Sequence, residues 1–158
     1  MDPKSPSESK IALSQLMGPD SANNHGNVHG GIIMKLCDEA GAMAAVKHSR
    51  SSVVTVTVDS MSFHSPVNLG DLVTLSAEVT WVGRTSIETK VFVTAEKVSK
   101  GIVSHTNTAY FVYVAVDENG KPIQVPPLLL ETEEEKERFD RGAKRQAYRL
   151  EQRQQGIL

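Results

Sequence analysis

Residues 30–48 read GGIIMKLCDEAGAMAAVKH, and this stretch decides the fold. Its apolar side chains recur every three to four positions, the spacing of one face of an α-helix: Ile32, Leu36, Ala40 and Met43. Small residues in its second half allow a sheet to approach closely: Ala40, Gly41, Ala44 and Ala45. We therefore predict a long helix that begins near Gly30, with His48 placed to complement the dipole at its C-terminus.

After this helix the period of the apolar residues changes to two. Four runs between Ser52 and Asp117 alternate apolar and polar side chains, as half-buried strands do: residues 54–58, 73–81, 87–95 and 102–116. Short glycine-containing connectors favour antiparallel neighbours, since a parallel crossover needs a dozen residues or more: NLGD, VGRT, VSKG and DENG. With a further short strand at residues 11–17, we predict an α+β fold in which an antiparallel sheet of five to six strands wraps around one long central helix.

Length and composition narrow the class of protein. The chain has 158 residues, enough for one domain, which we place at residues 11–130 behind a polar, disordered segment 1–10. A net charge of −2 argues against a nucleic-acid partner. One cysteine cannot form an internal disulfide, the polar start is not a secretory signal, and no apolar run is long enough for membrane insertion. We expect a cytoplasmic protein.

The last segment, residues 131–158, is densely charged. It holds seven acids and seven bases, with the acids first and the bases later, an order that complements a helix dipole. We predict a charged C-terminal helix that lies on the body of the protein or on a neighbouring subunit. An arm that binds RNA or another protein is the alternative.

The residues that could take part in catalysis or ligand binding concentrate at 23–31, NNHGNVHGG, just before the long helix. His25 and His29 have a metal-ligand spacing, but the glycines place them in a loop and no further ligand lies close in sequence, so we expect no metal. The loop also lacks the lysine of a phosphate-binding loop. Cys37, in an apolar part of the helix, is expected to be an inert core thiol.

A second hypothesis joins the glycines, an amide and a carboxylate. Gly30 and Gly31 at a helix N-terminus present backbone N–H groups that can stabilise an oxyanion. Asn27 can orient a carbonyl or a water molecule, and Asp38 can act as general base or as nucleophile. Each residue alone is more simply a turn residue or a solvated carboxylate. Together they form a coherent site for attack on an acyl carbonyl.

The geometry of the helix separates these groups within one chain. Asp38 lies eight residues after Gly30, which is about 12 Å at 1.5 Å per residue. Two antiparallel copies of the helix about a two-fold axis would bring Asp38 of one subunit to face Asn27 and Gly31 of the other. We therefore predict a composite site at a dimer interface.

Several motifs together resemble the hotdog-fold acyl-CoA thioesterases, in the branch of the cytosolic (brain-type) acyl-CoA hydrolases and their single-domain bacterial relatives. The motifs are GNVHGG at 26–31, MKLCDEAG at 34–41, FHSP at 63–66, VGRTSIE at 82–88 and VPP at 125–127. The resemblance implies hydrolysis of fatty acyl-CoA to free acid and CoA without metal or redox cofactor. It also implies Asn27 and Asp38 as catalytic residues, an oxyanion and substrate-binding end at His29, Gly30 and Gly31, and a homodimer assembled into a trimer of dimers, a hexamer.

For binding of the CoA moiety the sequence offers one candidate segment, a turn. Arg84, Thr85 and Ser86 could bind a phosphate, although an arginine in an exposed turn is equally common. Three alternatives to a hydrolase stay open: a hydratase or dehydratase, for which Asp20 and His25 would have to pair; a non-enzymatic acyl-CoA sensor; and an adaptor that acts through the charged tail.

Overall fold

The computed structural model describes residues 1–157 as five strands, two α-helices and three 3-10 turns. The strands are β1 (Ile11–Leu16), β2 (Ser52–Val58), β3 (Leu72–Val82), β4 (Ser86–Lys97) and β5 (Ile102–Val116), and the helices are α1 (Gly30–Ser49) and α2 (Glu133–Gln154). No helix within this part of the chain is both long and apolar enough to cross a membrane.

The five strands form one antiparallel sheet in the order β1-β3-β4-β5-β2. Helix α1 packs on one face of this sheet and contacts all five strands. Helix α2 packs on the other face. The predicted α+β hotdog fold, with a long central helix wrapped by an antiparallel sheet, is therefore confirmed.

The buried face of α1 is the small-residue face that the sequence predicted, with two corrections. Met43 is 49% exposed and Ile32 is only half-buried, so both lie outside the buried stripe. That stripe instead consists of Ile33, Leu36, Cys37, Ala40, Gly41, Ala44, Ala45 and His48. The reason is geometric: Ala44 and Ala45 turn towards the sheet and leave Met43 on the opposite edge of the helix.

His48 does not serve as an exposed cation at the end of α1. It is fully buried, and its Nε2 lies 2.8 Å from the carbonyl oxygen of Pro126. Burial lowers its pKa, although the hydrogen bond to Pro126 acts in the opposite direction. The Lys4 Nζ, 2.7 Å from the His48 carbonyl oxygen, supplies the positive charge at the helix end instead.

The N-terminal segment is ordered where we expected disorder. Pro6–Ser9 forms a 3-10 turn, and Ser5 and Ser9 are buried. The Lys4 N–H donates to the carbonyl oxygen of Pro127 at 3.0 Å, so the chain near Pro127 provides backbone hydrogen-bond partners for the N-terminal segment. A polar composition does not reveal such partners, because they lie more than a hundred residues away. The domain limits 11–130 and 131–158 remain a prediction.

Helix α2 starts with a capping box. Thr132 Oγ1 accepts from the Glu135 N–H at 3.1 Å, and Glu135 Oε2 accepts from the Thr132 N–H at the same distance. At Gly142 an added Cβ would lie 2.6 Å from the Trp81 Cβ, so glycine allows the helix to approach β3 closely. As predicted, the charged segment is helical and lies on the body of the protein.

Buried ion pairs connect α2 to the sheet. Glu88 on β4 is fully buried, and its carboxylate accepts hydrogen bonds from Arg145 and Arg149 of α2 and from Thr80. Arg149 also binds Asp59 through two hydrogen bonds of 3.0 Å. Burial alone would raise the pKa of Glu88, but the hydrogen bonds from the two arginines and Thr80 outweigh it and lower that pKa.

Candidate functional site

The loop before α1 is organised by the side chain of Asn23. Its Oδ1 accepts hydrogen bonds from the backbone N–H of His25 at 2.9 Å and of Asn27 at 3.1 Å. Gly26 completes the turn at φ +80°, a conformation that favours glycine. Because Oδ1 has two donors, the Asn23 amide is fixed in orientation and its Nδ2 is left to donate outward.

The start of α1 uses one of the two predicted glycine amides for its own capping. His29 is the N-cap residue, and its Nδ1 accepts from the Gly31 N–H at 3.0 Å. Within residues 1–157 the Gly30 N–H meets no acceptor, which leaves it as the available donor at this helix end. The predicted role of His29 thus has a structural component, since its ring occupies the Gly31 amide.

A cavity of about 210 Å³ opens beside this loop. Asn23, Asn27 and Gly30 line it together, and its apolar wall comes from Val28, Ile33, Phe63, Pro66 and Val67. Polar donors at the edge of an apolar cavity are typical of a ligand site. Asp38 is not among the residues that line it.

Asp38 lies further along α1, where its carboxylate is half-buried. One oxygen, Oδ1, accepts from Thr55 Oγ1 at 2.9 Å and from the Tyr113 hydroxyl at 3.0 Å. Within residues 1–157 no donor reaches Oδ2. The carboxylate is therefore fixed on one oxygen and open on the other, an arrangement suited to accepting a proton or attacking a carbonyl.

Arg84, Thr85 and Ser86 do not join this cavity within one chain. Their turn between β3 and β4 is attached through the carbonyl oxygens of Arg84 and Thr85, which accept from Val125 and Ala115. The Arg84 side chain is exposed, and Ser86 lines a separate cavity of about 150 Å³ beneath α2. Their predicted role in CoA binding stays a prediction.

The other candidates show no reactive geometry. Among residues 1–157, no group of three or more His, Cys, Asp or Glu side chains is placed to hold a metal ion. Cys37 is fully buried, and burial raises the pKa of its thiol to about 11, as expected for an inert core cysteine. Asp20, proposed to pair with His25 in a hydratase, is exposed in the 3-10 turn Pro19–Ser21.

Comparison with known proteins identifies the family. The Thioesterase superfamily matches residues 25–102. A hexameric acyl-CoA thioesterase of known structure shares 34% identity, with a TM-score of 0.91 over 96% of this chain and 97% of that one. This chain belongs to the hotdog thioesterase superfamily. The resemblance inferred from the motifs is thereby confirmed.

Two further proteins are similar to most of this chain. The cytosolic acyl coenzyme A thioester hydrolase of Rattus norvegicus is 38% identical over 143 residues, which are 89% of this chain but 38% of the rat protein. A Staphylococcus aureus acyl-CoA hydrolase, solved with butyryl coenzyme A, coenzyme A and coenzyme A disulfide, is 34% identical over 96% of this chain and 95% of that one, with a TM-score of 0.84. Its structure is also known with alanine in place of one aspartate, one asparagine or one threonine.

Proposed function

We propose that this chain hydrolyses acyl-CoA thioesters to a carboxylic acid and CoA, and that it works in the cytoplasm like the relative named for that compartment. The observation that carries the proposal is Asp38: a half-buried carboxylate held by two hydroxyl donors on Oδ1 and open on Oδ2. It stands in the part of the chain that matches the Thioesterase superfamily. The enzyme needs no cofactor for this reaction, because water, a base and an oxyanion site suffice.

The reaction would run as follows. A water oxygen bonds to the thioester carbonyl carbon while Oδ2 of Asp38 takes its proton. The available Gly30 N–H at the start of α1 stabilises the negative charge on the carbonyl oxygen. The tetrahedral intermediate then breaks its C–S bond, and the departing CoA thiolate takes up the proton. In the second route Oδ2 of Asp38 attacks the carbonyl carbon, the C–S bond breaks and CoA leaves as the thiolate, which gives a mixed anhydride. Water then opens the anhydride to the acid and the Asp38 carboxylate, and the proton that water releases goes to the thiolate.

The side-chain amide in this site is best assigned to Asn23. In the Staphylococcus aureus hydrolase the substituted aspartate lies 15 residues after the asparagine and 17 before the threonine. Here Asp38 lies 15 residues after Asn23 and 17 before Thr55. Asn23 is also the residue whose amide the loop fixes in orientation, and a preorganised donor stabilises a developing charge best. We propose Asn23 as the carbonyl donor, with Asn27, the residue predicted from the sequence, as the wall of the cavity beside it.

A second copy of the chain completes the site in this proposal. Asp38 does not line the cavity that holds Asn23 and Gly30. Strand β2 is an edge strand whose Val54, Val56 and Val58 are each more than 40% exposed, and an open apolar edge is a template for strand pairing. Thr55 of this strand contacts Asp38, so pairing of two β2 strands would place both aspartates at the interface. We extend the dimer to a trimer of dimers, since a similar structure is hexameric.

The first test is release of free thiol from a panel of acyl-CoA substrates of increasing chain length. The proposal predicts release from at least one substrate by the wild-type protein. If acyl-CoA binds without release of CoA for any chain length, the protein is a sensor and the proposed hydrolysis is wrong.

The second test mixes two inactive variants, Asn23→Ala and Asp38→Ala, and lets their subunits exchange. Random exchange makes half of the dimers mixed, each with one intact site, so about a quarter of wild-type activity returns. A parallel mixture of Asn27→Ala with Asp38→Ala compares the two asparagines. No recovery in the first mixture, with exchange confirmed by mass spectrometry, would exclude a site shared between subunits.

A further inference from the structure

Tyr113 of β5 reaches from the sheet through the apolar core to the catalytic face of α1. It is the largest fully buried side chain described, and its ring lies beside Phe111 with the two ring planes 15° apart. Its hydroxyl lies 3.0 Å from both the carbonyl oxygen and Oδ1 of Asp38. A buried tyrosine needs a partner for its hydroxyl, and here that partner is the proposed catalytic carboxylate.

Gly41 makes room for this contact. An added Cβ at Gly41 would lie 2.6 Å from the Tyr113 hydroxyl oxygen and 2.7 Å from Thr89 Oγ1, closer than a real Cβ approaches another atom. A glycine inside a helix is less favourable than alanine. Here it stands at the turn of α1 where the Tyr113 hydroxyl passes to reach Asp38.

We propose that Tyr113 is a positioning residue for Asp38: together with Thr55 it fixes Oδ1 and stabilises the carboxylate anion, so that Oδ2 points to the water or thioester. This inference rests on the proposed function, and it adds a residue from the core to a site otherwise formed by α1, the loop before it and β2. Burial, with the charge of Asp38, raises the pKa of Tyr113 far above its usual value, so the hydroxyl stays a donor at every working pH.

Both donors bind the ionised carboxylate of Asp38, and a hydrogen bond to an ionised group is stronger than one between neutral groups. Removing the Tyr113 hydroxyl therefore has a defined consequence for hydrolysis. The carboxylate loses its fixed orientation, which lowers kcat more than it raises KM.

The test compares Tyr113→Phe with the matched control Tyr110→Phe on the same strand, where the Tyr110 ring packs under Arg145 at 3.9 Å on the other face. For Tyr113→Phe we expect kcat to fall about 10-fold or more, the loss of one hydrogen bond to a charged group, while KM changes less. For Tyr110→Phe we expect kcat and KM to stay at the wild-type values. Thr55→Val removes the second donor on Oδ1 and should lower kcat further when combined with Tyr113→Phe.

The outcomes separate this inference from the proposed function. If the wild-type protein hydrolyses acyl-CoA but folded Tyr113→Phe keeps the wild-type kcat and KM, Tyr113 is only a packing residue and the inference is wrong. A lower melting temperature with an unchanged kcat has the same meaning. Should Tyr113→Phe fail to fold, Gly41→Ala displaces the hydroxyl instead, and a kcat that stays at the wild-type value then overturns the inference. Absence of hydrolysis in the wild type would contradict the proposed function itself.

Discussion

Glu88 and Asp38 are two carboxylates on opposite sides of one sheet, and they are held in different ways. Both oxygens of Glu88 are bound, by Thr80 and Arg145 on Oε1 and by Arg145 and Arg149 on Oε2. Asp38 has donors on Oδ1 alone. The first group is fully buried and the second is half-exposed.

This difference separates a structural carboxylate, Glu88, from the one that we propose to be reactive, Asp38. A carboxylate with every lone pair occupied attaches two elements to each other, here α2 to β4, and has nothing left for a substrate. A carboxylate with one oxygen fixed and the other open is preorganised and still available. Of these two acids, Glu88 therefore has a structural role, and Asp38 is the one with an oxygen available to a substrate.

The largest expected effect is loss of hydrolysis in Asp38→Asn. The amide keeps the volume and the contact with Tyr113 but cannot accept the proton, and general-base catalysis contributes about 10²–10⁴-fold. The measurement is kcat for thiol release, with folding followed by circular dichroism. Glu39→Gln is the matched control, because Glu39 is the exposed neighbour that pairs with Lys35 at 3.5 Å. Equal kcat in the two variants would contradict the role of Asp38.

The second prediction concerns stability rather than activity. Glu88→Gln leaves Arg145 and Arg149 without their shared anion, and breaking a buried pair in this way costs about 3–5 kcal/mol. Urea denaturation measures this loss of unfolding free energy. The control Glu137→Gln breaks only the exposed pair with Arg141 at 3.1 Å, which is worth under about 1 kcal/mol. Similar midpoints for both variants would mean that ion pairs do not hold α2 in place.

A smaller effect follows from the approach of α2 to the sheet. In Gly142→Ala the new methyl group would lie 2.6 Å from the Trp81 Cβ and 3.0 Å from Glu88 Oε1, and overpacking of this kind costs about 1–3 kcal/mol. Lys144→Ala on the exposed face of α2 should change the unfolding free energy by under about 0.5 kcal/mol. If Gly142→Ala is instead as stable as wild type, α2 does not pack closely on β3.

Much of the fold could be predicted because its signals are local. The helical spacing in residues 30–48 and the alternation from Ser52 to Asp117 each report burial on one side of an element. That residues 131–158 form a helix was predicted from their charge order, but the partners of α2 were not. Glu88 and Arg149 are 61 residues apart, and nothing in the alternation of β4 indicates that Glu88 is buried beneath another helix.

The candidate site was predictable in part for the same reason. Asp38 and the glycines form one compact motif, whereas Tyr113 reaches Asp38 from 75 residues away. Asn23 carried a weak local signal that sequence reasoning did not use: an asparagine four residues before Asn27, with Gly26 between them, can form a side-chain turn. The proposed contribution of a second chain leaves only an indirect trace in the sequence, the separation of Asp38 from the N-terminal end of its own helix.

The smallest expected effect is on the pH dependence of stability, to which His48 at the end of α1 and Glu88 beneath α2 contribute in different pH ranges. Protonation of buried His48 is unfavourable in the folded state, because burial lowers its pKa from 6.5 and its Nδ1 has no partner within residues 1–157. Its contribution to stability is thus fully present above pH 6.5 and is lost as the pH falls below that value, by at most about 1.4 kcal/mol per pH unit. The pKa of Glu88 is also lowered, from 4.5, so its contribution is lost only in more acidic solution, as the pH falls through the folded-state pKa.

The variant His48→Gln tests this separation. It keeps a donor for the carbonyl oxygen of Pro126 but cannot titrate, so its unfolding free energy should vary less than that of the wild type between about pH 7 and pH 5. Urea denaturation across that range measures both slopes. Equal slopes would mean that a group other than His48 causes the loss of stability in mild acid. A smaller slope in the variant, with the loss of unfolding free energy at lower pH unchanged, would mean that His48 and the Glu88 ion pairs respond to pH independently.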